Sequence, residues 1–133
     1  MERAMIPRFR AWHCELGAMM SIKNMWFQNN MLEELELNNA AANDYITAYP
    51  DEVELMQSTG LTDKDGKEIF EGDVVKMAKN VYSEPTYYEV ARHRGGAYRL
   101  ESKQYGCELW LRHADCEIAG NIYENPGLLE VSS

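Results

Sequence analysis

The sequence predicts a mainly β chain with a minor helical part: a small, partly open barrel core preceded by an N-terminal hairpin and helix region. Three observations carry that expectation. From Val74 onward, short apolar runs alternate with tight turns and no long helical period intervenes. Between Leu55 and Met77 stand two turns, Asp63-Lys-Asp65-Gly66-Lys67 and Glu71-Gly72-Asp73, with only Glu68-Ile69-Phe70 between them, so the chain must fold back on itself there. Near the start, Phe9 to Trp12 alternates apolar and basic residues with the two-residue period of a half-buried strand.

Taken in order, Ile6 to Trp12 is the first strand, with Phe9 and Ala11 facing in and Arg8 and Arg10 out. His13 to Gly17 supplies a turn, and Ala18 to Ile22 returns as its hairpin partner. Met19, Met20, Met25 and Met31, with Trp26 and Phe27, make the next stretch rich in adaptable apolar side chains. Such residues fill cores by default and can also form a partner surface. Leu32-Glu-Glu-Leu35-Glu-Leu37 fits a helix face or a strand; its leucines and glutamates are good helix formers and predict one short helix. Asn38 to Asp44 dissolves the pattern and reads as the least ordered segment and a hinge. Tyr45 to Tyr49 is a strand ended by Pro50-Asp51, and Glu52 to Gln57 alternates toward the corner. The predicted organisation is a hairpin and variable region over 1–52 and the barrel core over 53–133.

Beyond the corner the strands are Val74 to Met77, Tyr87 to Ala91, Ala97 to Leu100, Leu109 to Leu111 and Glu117 to Tyr123. A loop runs from Asn80 to Thr86, and Gly95-Gly96 between alternating segments marks a hairpin. Asn125-Pro126-Gly127 closes the core, with Leu128 and Leu129 forming one helical turn.

Composition narrows the function. At 133 residues the chain fits one domain, or one with a smaller appendage, and it can bury a core without staples. Its net charge of -9, from 13 basic and 22 acidic residues, repels phosphate backbones, so nucleic acid is not expected as a partner. Basic residues cluster only at Arg92-His93-Arg94 with Arg99 and Lys103, and Glu89 and Glu101 flank them. No apolar run is long enough to span a membrane, and the N-terminus lacks the apolar stretch of a secretory signal, which predicts a cytoplasmic protein. Cys14, Cys107 and Cys116 are odd in number and scattered, a poor disulfide framework.

Sets of residues that could carry chemistry are few. Asp63, Asp65 and Glu68 suggest a calcium loop, but Phe70 and Gly72 occupy the later ligand positions and the flanks read as strands, so a plain turn is favoured. Cys107, His113 and Cys116, with His13-Cys14 upstream, lack the paired C-x-x-C spacing of a zinc site. No serine sits in a G-x-S-x-G setting and no G-x-x-x-x-G-K-[ST] run cradles phosphate. Glu33-Glu34 and Asp51-Glu52 read as solvated surface. The expectation is no catalytic residue, no metal and no cofactor.

Three separated segments, Pro7 to Trp12, Gln57 to Val75 and Gly120 to Pro126, resemble the YopX family of phage and prophage proteins. The middle segment, QSTGLTDKDGKEIFEGDVV, carries the most specific part of the likeness. The resemblance implies an SH3-like barrel core, a variable N-terminal part, and homo-oligomeric rings built on pentamers, with no particular activity. Its matching residues are Phe9, Arg10, Ala11 and Trp12, then Thr59, Gly60, Leu61, Asp65, Gly66, Gly72 and Asp73, then Gly120, Asn121 and Ile122. Glycines supply backbone freedom and Asp or Asn side chains cap turns, so these read as fold determinants rather than as a site. Where the family usually has an acidic residue after the tryptophan, this chain has His13, so a different first turn is expected. Met5 stands where family members begin, which makes Met1 to Ala4 an extension or an alternative start. The functional expectation is a non-enzymatic assembly or interaction protein in the host cytoplasm. It binds itself and an unidentified protein partner, with Met25, Trp26, Arg92, Arg94 and Arg99 as the candidate surface. The alternative is a regulator that binds nucleic acid, or a nucleic-acid enzyme, through the Arg92 to Lys103 hairpin.

Overall fold

In the computed structural model, which describes residues 8–78, 82–103 and 105–131, the alternating segment Phe9–His13 forms β1 at the middle of a sheet. It pairs antiparallel with β2 (Ala18–Gln28), from Arg10↔Ser21 to His13↔Ala18. On its other side it pairs with β5 (Val53–Thr62), from Phe9↔Gln57 to His13↔Val53. β3 (Met31–Asn39) adds to β2, and β4 (Asp44–Ala48) to β3, so the strand order is β4-β3-β2-β1-β5. Every second residue points inward, which brings Ala11, Met20, Leu35, Leu37, Ala48 and Val53 into one apolar cluster.

β3 overturns the helix expected over Leu32 to Leu37. Leu35 and Leu37 are fully buried while Glu34 and Glu36 are not, a two-residue period, and β3 has hydrogen-bonded partners on both flanks. Those ladders outweigh the few tenths of a kcal/mol per residue, roughly, by which Leu and Glu favour a helix. The tract read as a hinge is a hydrogen-bonded turn between β3 and β4: the Ala42 amide donates to the Asn39 carbonyl and the Asn43 amide to that of Ala40.

The chain divides into two compact units between Gln57 and Ser58, within β5. In the second unit, β6 (Glu68–Phe70) pairs with the far half of β5 across a bulge between Ser58 and Thr62. A five-stranded antiparallel sheet follows, built from β7 (Asp73–Met77), β8 (Thr86–Arg92), β9 (Tyr98–Glu101), β10 (Gly106–Glu108) and β11 (Glu117–Asn121). Its order is β10-β9-β8-β7-β11, open rather than closed into a barrel among the described residues. Ile69, Val75, Met77, Tyr88, Val90, Leu100, Leu109 and Cys116 form its core. The chain as a whole is mostly β with a minor helical part, as the sequence predicts.

Leu109 to Leu111, expected as a strand, is instead the one-turn helix α1 (Leu109–Arg112). Pairing with β9 ends at Glu108↔Arg99, and the helical turn buries Leu109 while leaving Trp110 and Leu111 exposed. α2 (Leu128–Val131) is the helical turn foreseen at the end of the core. The expectations for Met1 to Ala4, for Ile6 and Pro7, and for Asn80 at the head of its loop lie outside the described residues. No helix among the described residues is long and apolar enough to cross a membrane.

Candidate interaction surface

The polar residues of the corner turn inward and act on backbone. Asp63 is buried; its Oδ1 accepts from the Asp65 and Lys67 amides at 2.9 Å each, and its Oδ2 accepts from the Ile118 amide at 3.0 Å. Burial by itself pushes the Asp63 carboxyl up, but these three donors and the Lys67 charge outweigh it and hold the group below the usual carboxylate range. A carboxylate surrounded by N–H groups in this way is a poor cation ligand. Asp65 gives its amide to the turn, and the Gly66 amide donates to the Asp63 carbonyl at 3.0 Å.

The other residues of the family-like segments are placed alike. Thr59 Oγ1 donates to the Ile69 carbonyl at 2.7 Å and accepts from the Leu61 amide at 3.2 Å, while the Gly60 amide reaches Ser58 Oγ. Asp73 Oδ2 accepts from the Phe70 amide at 2.8 Å. Gly72 is buried at φ 87, a conformation that a side chain disfavours; its amide donates to Val90 and its carbonyl accepts from the Ile122 amide. A Cβ on Gly120 would run into the Asn125 side chain, so the close approach favours glycine. Asn121 Oδ1 accepts from the Tyr123 and Glu124 amides at 3.0 and 2.9 Å. In β1, Ala11 is buried while Phe9, Arg10 and Trp12 are half-buried.

The cysteines and histidines also have local contacts. Cys116 is buried and its Sγ donates to the Arg112 carbonyl; burial pushes its thiol up to about 11. His113 Nδ1 lies 2.7 Å from the Thr62 carbonyl, and His13 Nδ1 accepts from the Leu16 amide at 3.1 Å, closing the β1–β2 turn. Among the described residues, no three His, Cys, Asp or Glu side chains are grouped so as to hold a metal ion.

Of the candidate surface, Arg92 and Arg94 are exposed at the β8–β9 turn. Arg99 stands apart from them: its Nε donates to Glu101 at 3.0 Å and its Nη1 to Glu108 at 2.6 Å, so its charge is neutralised within the sheet. Behind this turn Glu89 lies directly across from Glu101, a like-charge cross-strand pair. Burial first, then the charges of Glu101 and Glu71, push the Glu89 carboxyl up. A carboxyl raised by folding binds its proton more tightly in the folded state, so its contribution favours folding below its unfolded value and is lost as pH rises through the folded one. Glu89→Gln therefore raises the melting temperature at pH 7 and removes this gain on mild acidification, as calorimetry across a pH series would register.

Met25 and Trp26 belong to the hairpin of β2 and β3. Asn29 and Asn30 both adopt positive φ, 53° and 64°, the conformation of a tight two-residue hairpin turn. Pairing of β1 with β2 stops at Ser21 and pairing of β4 with β3 stops at Leu35. From Trp26 to Glu34 the hairpin is thus a two-stranded tip with no further strand beside it among the described residues. Met25 is half-buried against the core, whereas Trp26, Phe27 and Met31 are 44%, 61% and 72% exposed. The candidate surface read from the sequence takes Met25 and Trp26 from this apolar stretch but not Phe27 and Met31; Asn29-Asn30 between two apolar runs is the hairpin signal that points to them. Beside β2 is a cavity of about 460 Å³ lined by Arg8, Phe9, Ser21, Ile22, Lys23, Asn24 and Met25.

Comparison with known proteins places this architecture. The sequence profile described as YopX protein matches residues 8–130. The chain belongs to the YopX family. A crystal structure of protein EF1440 from Enterococcus faecalis is similar to this YopX-family chain at 26% identity, covering 95% of this chain and 99% of that one, with a TM-score of 0.65. The crystal structure of protein yopX from Bacillus subtilis has the same fold, with a TM-score of 0.62, 21% identity, and coverage of 92% and 97%. No curated protein matches.

Proposed function

We propose that this YopX-family protein is a non-enzymatic assembly module of phage or prophage origin that acts in the host cytoplasm by binding copies of itself. The observation that carries the reading is the β2–β3 tip, which exposes Trp26, Phe27 and Met31 on a strand pair with no further strand beside it among the described residues. A two-stranded ribbon is marginal in water by itself, and aromatic and methionine side chains at its end are what a protein interface collects. The family resemblance adds the expectation of a ring built on five-fold units. The polar residues of the family-like segments are engaged in turns and caps, which favours a structural role for them over a catalytic one. The neutralisation of Arg99 weighs against nucleic acid as the ligand of the basic hairpin. The mass in solution tests the reading: light scattering at micromolar concentration should return a multiple of the 15.3 kDa chain mass, and a single species at that mass would contradict it.

A further inference from the structure

We infer that the Asp65–Gly66 peptide is this chain's site of spontaneous aspartate isomerisation, and that the folded turn holds the reaction back. Among the six aspartates, Asp65 is the one followed by glycine, and no asparagine precedes a glycine. The reaction begins when the backbone nitrogen of the next residue attacks the aspartate side chain. A Cβ on that residue hinders the attack, and glycine has none. Both residues are exposed at the corner, and a Cβ built on Gly66 would meet no atom within 4 Å, so the peptide is open to water.

The step balances without a co-reactant. The Gly66 nitrogen bonds to Cγ of the protonated Asp65 carboxyl, and one water leaves with the carboxyl OH and the amide proton. Water then adds back to the five-membered imide. Opening the bond from Cγ to nitrogen restores aspartate. Opening the bond from the backbone carbonyl carbon instead leaves the main chain running through Cβ and Cγ, as isoaspartate.

In the folded chain the attacking nitrogen is committed elsewhere. Its N–H donates to the Asp63 carbonyl at 3.0 Å, and the Asp65 amide donates to Asp63 Oδ1 at 2.9 Å. The Lys67 amide donates to the same Oδ1 at 2.9 Å, so the peptides on both sides are pinned. Ring closure must first release the Gly66 nitrogen from that carbonyl. Losing one or two such bonds slows closure about tenfold or more. The product cannot restore them all. Isoaspartate adds one carbon to the main chain between the Asp65 and Gly66 nitrogens, which puts the Gly66 and Lys67 amides out of register with Asp63. The corner that reaches Ile118 is then weakened.

Ageing the full chain in 18O-labelled water at mildly acidic pH, once folded and once in guanidinium chloride, tests the site. Chymotryptic peptides are mapped by mass spectrometry, with electron-transfer fragmentation to tell isoaspartate from aspartate. In guanidinium, 18O and isoaspartate should accumulate at Asp65 ahead of the other five aspartates, and Gly66→Ala, which need not fold there, should abolish that lead. Folded, the Asp65 rate should fall about tenfold or more. Chain aged in guanidinium and refolded should unfold at lower urea than fresh chain, whereas Asp65→Glu treated alike should keep its midpoint. Equal rates at Asp65 in the two states overturn the guarding role of the turn. Another aspartate leading in guanidinium, or a lead that survives Gly66→Ala, overturns the site. An unshifted urea midpoint in isoaspartate-bearing chain overturns the consequence for the corner.

Discussion

Replacing Asp63 with alanine should cost the second unit about 4 kcal/mol, because three backbone donors at a buried corner lose a charged acceptor at once and charge-assisted bonds contribute roughly 1.5–3 kcal/mol each before water compensates. The side chain ties the Asp63–Lys67 turn to Ile118 in β11, and the Lys64 amide adds a bond to the Cys116 carbonyl nearby. Asp63→Asn should cost less, about 2 kcal/mol, since the amide keeps one oxygen for the turn but directs N–H toward the Ile118 donor. Urea unfolding measures both. The pH dependence has a definite sign: a carboxylate held below its unfolded value stabilises the fold above that unfolded value, and the contribution is lost as pH falls through the folded one. Glu89 works in the opposite direction, so acidification first relieves the Glu89 cost and only later removes the Asp63 contribution.

The second large effect belongs to the first unit. Leu35 is fully buried on β3, between its partners Met25 on β2 and Ala48 on β4. Leu35→Ala should destabilise that unit by about 3 kcal/mol, the lost transfer energy plus the cavity left behind. The effect is read as a fall in the urea midpoint with little change in slope. Glu34→Ala, one position away and facing the other side, should change stability by less than about 0.5 kcal/mol.

The pair shows where the sequence is legible. Leu32 to Leu37 satisfies a helical and an extended pattern at once, and local propensity points to a helix. Only the neighbours decide, and those neighbours, β2 and β4, are set by turns at Asn29-Asn30 and Asn39–Asp44. The corner around Gly66 and Gly72 is legible because its geometry is local: an Asx side chain two residues before a turn amide, and a glycine at positive φ, act within a few residues. The partner of Asp63 Oδ2 at Ile118 is not, since nothing in either segment announces a contact at that sequence distance. The same holds for Arg99, whose neutralisation depends on the register of β9 with β10. Trp110 and Leu111 escape a strand assignment only because β9 has no partner left for them. Trp26 and Met25 were identifiable as adaptable side chains, but which of them faces solvent depends on where β1 and β4 stop pairing.

The account holds that turn residues build shape while the exposed hairpin tip binds. One triple variant, W26A/F27A/M31A, tests it most directly. Each apolar side chain buried in an interface contributes roughly 1.5–3 kcal/mol, so together their loss should weaken assembly by on the order of a thousandfold. Sedimentation equilibrium should then find the variant monomeric where wild type is assembled, with its circular dichroism spectrum retained because these residues are exposed within the chain. A variant that keeps the wild-type mass at every micromolar concentration would contradict the account.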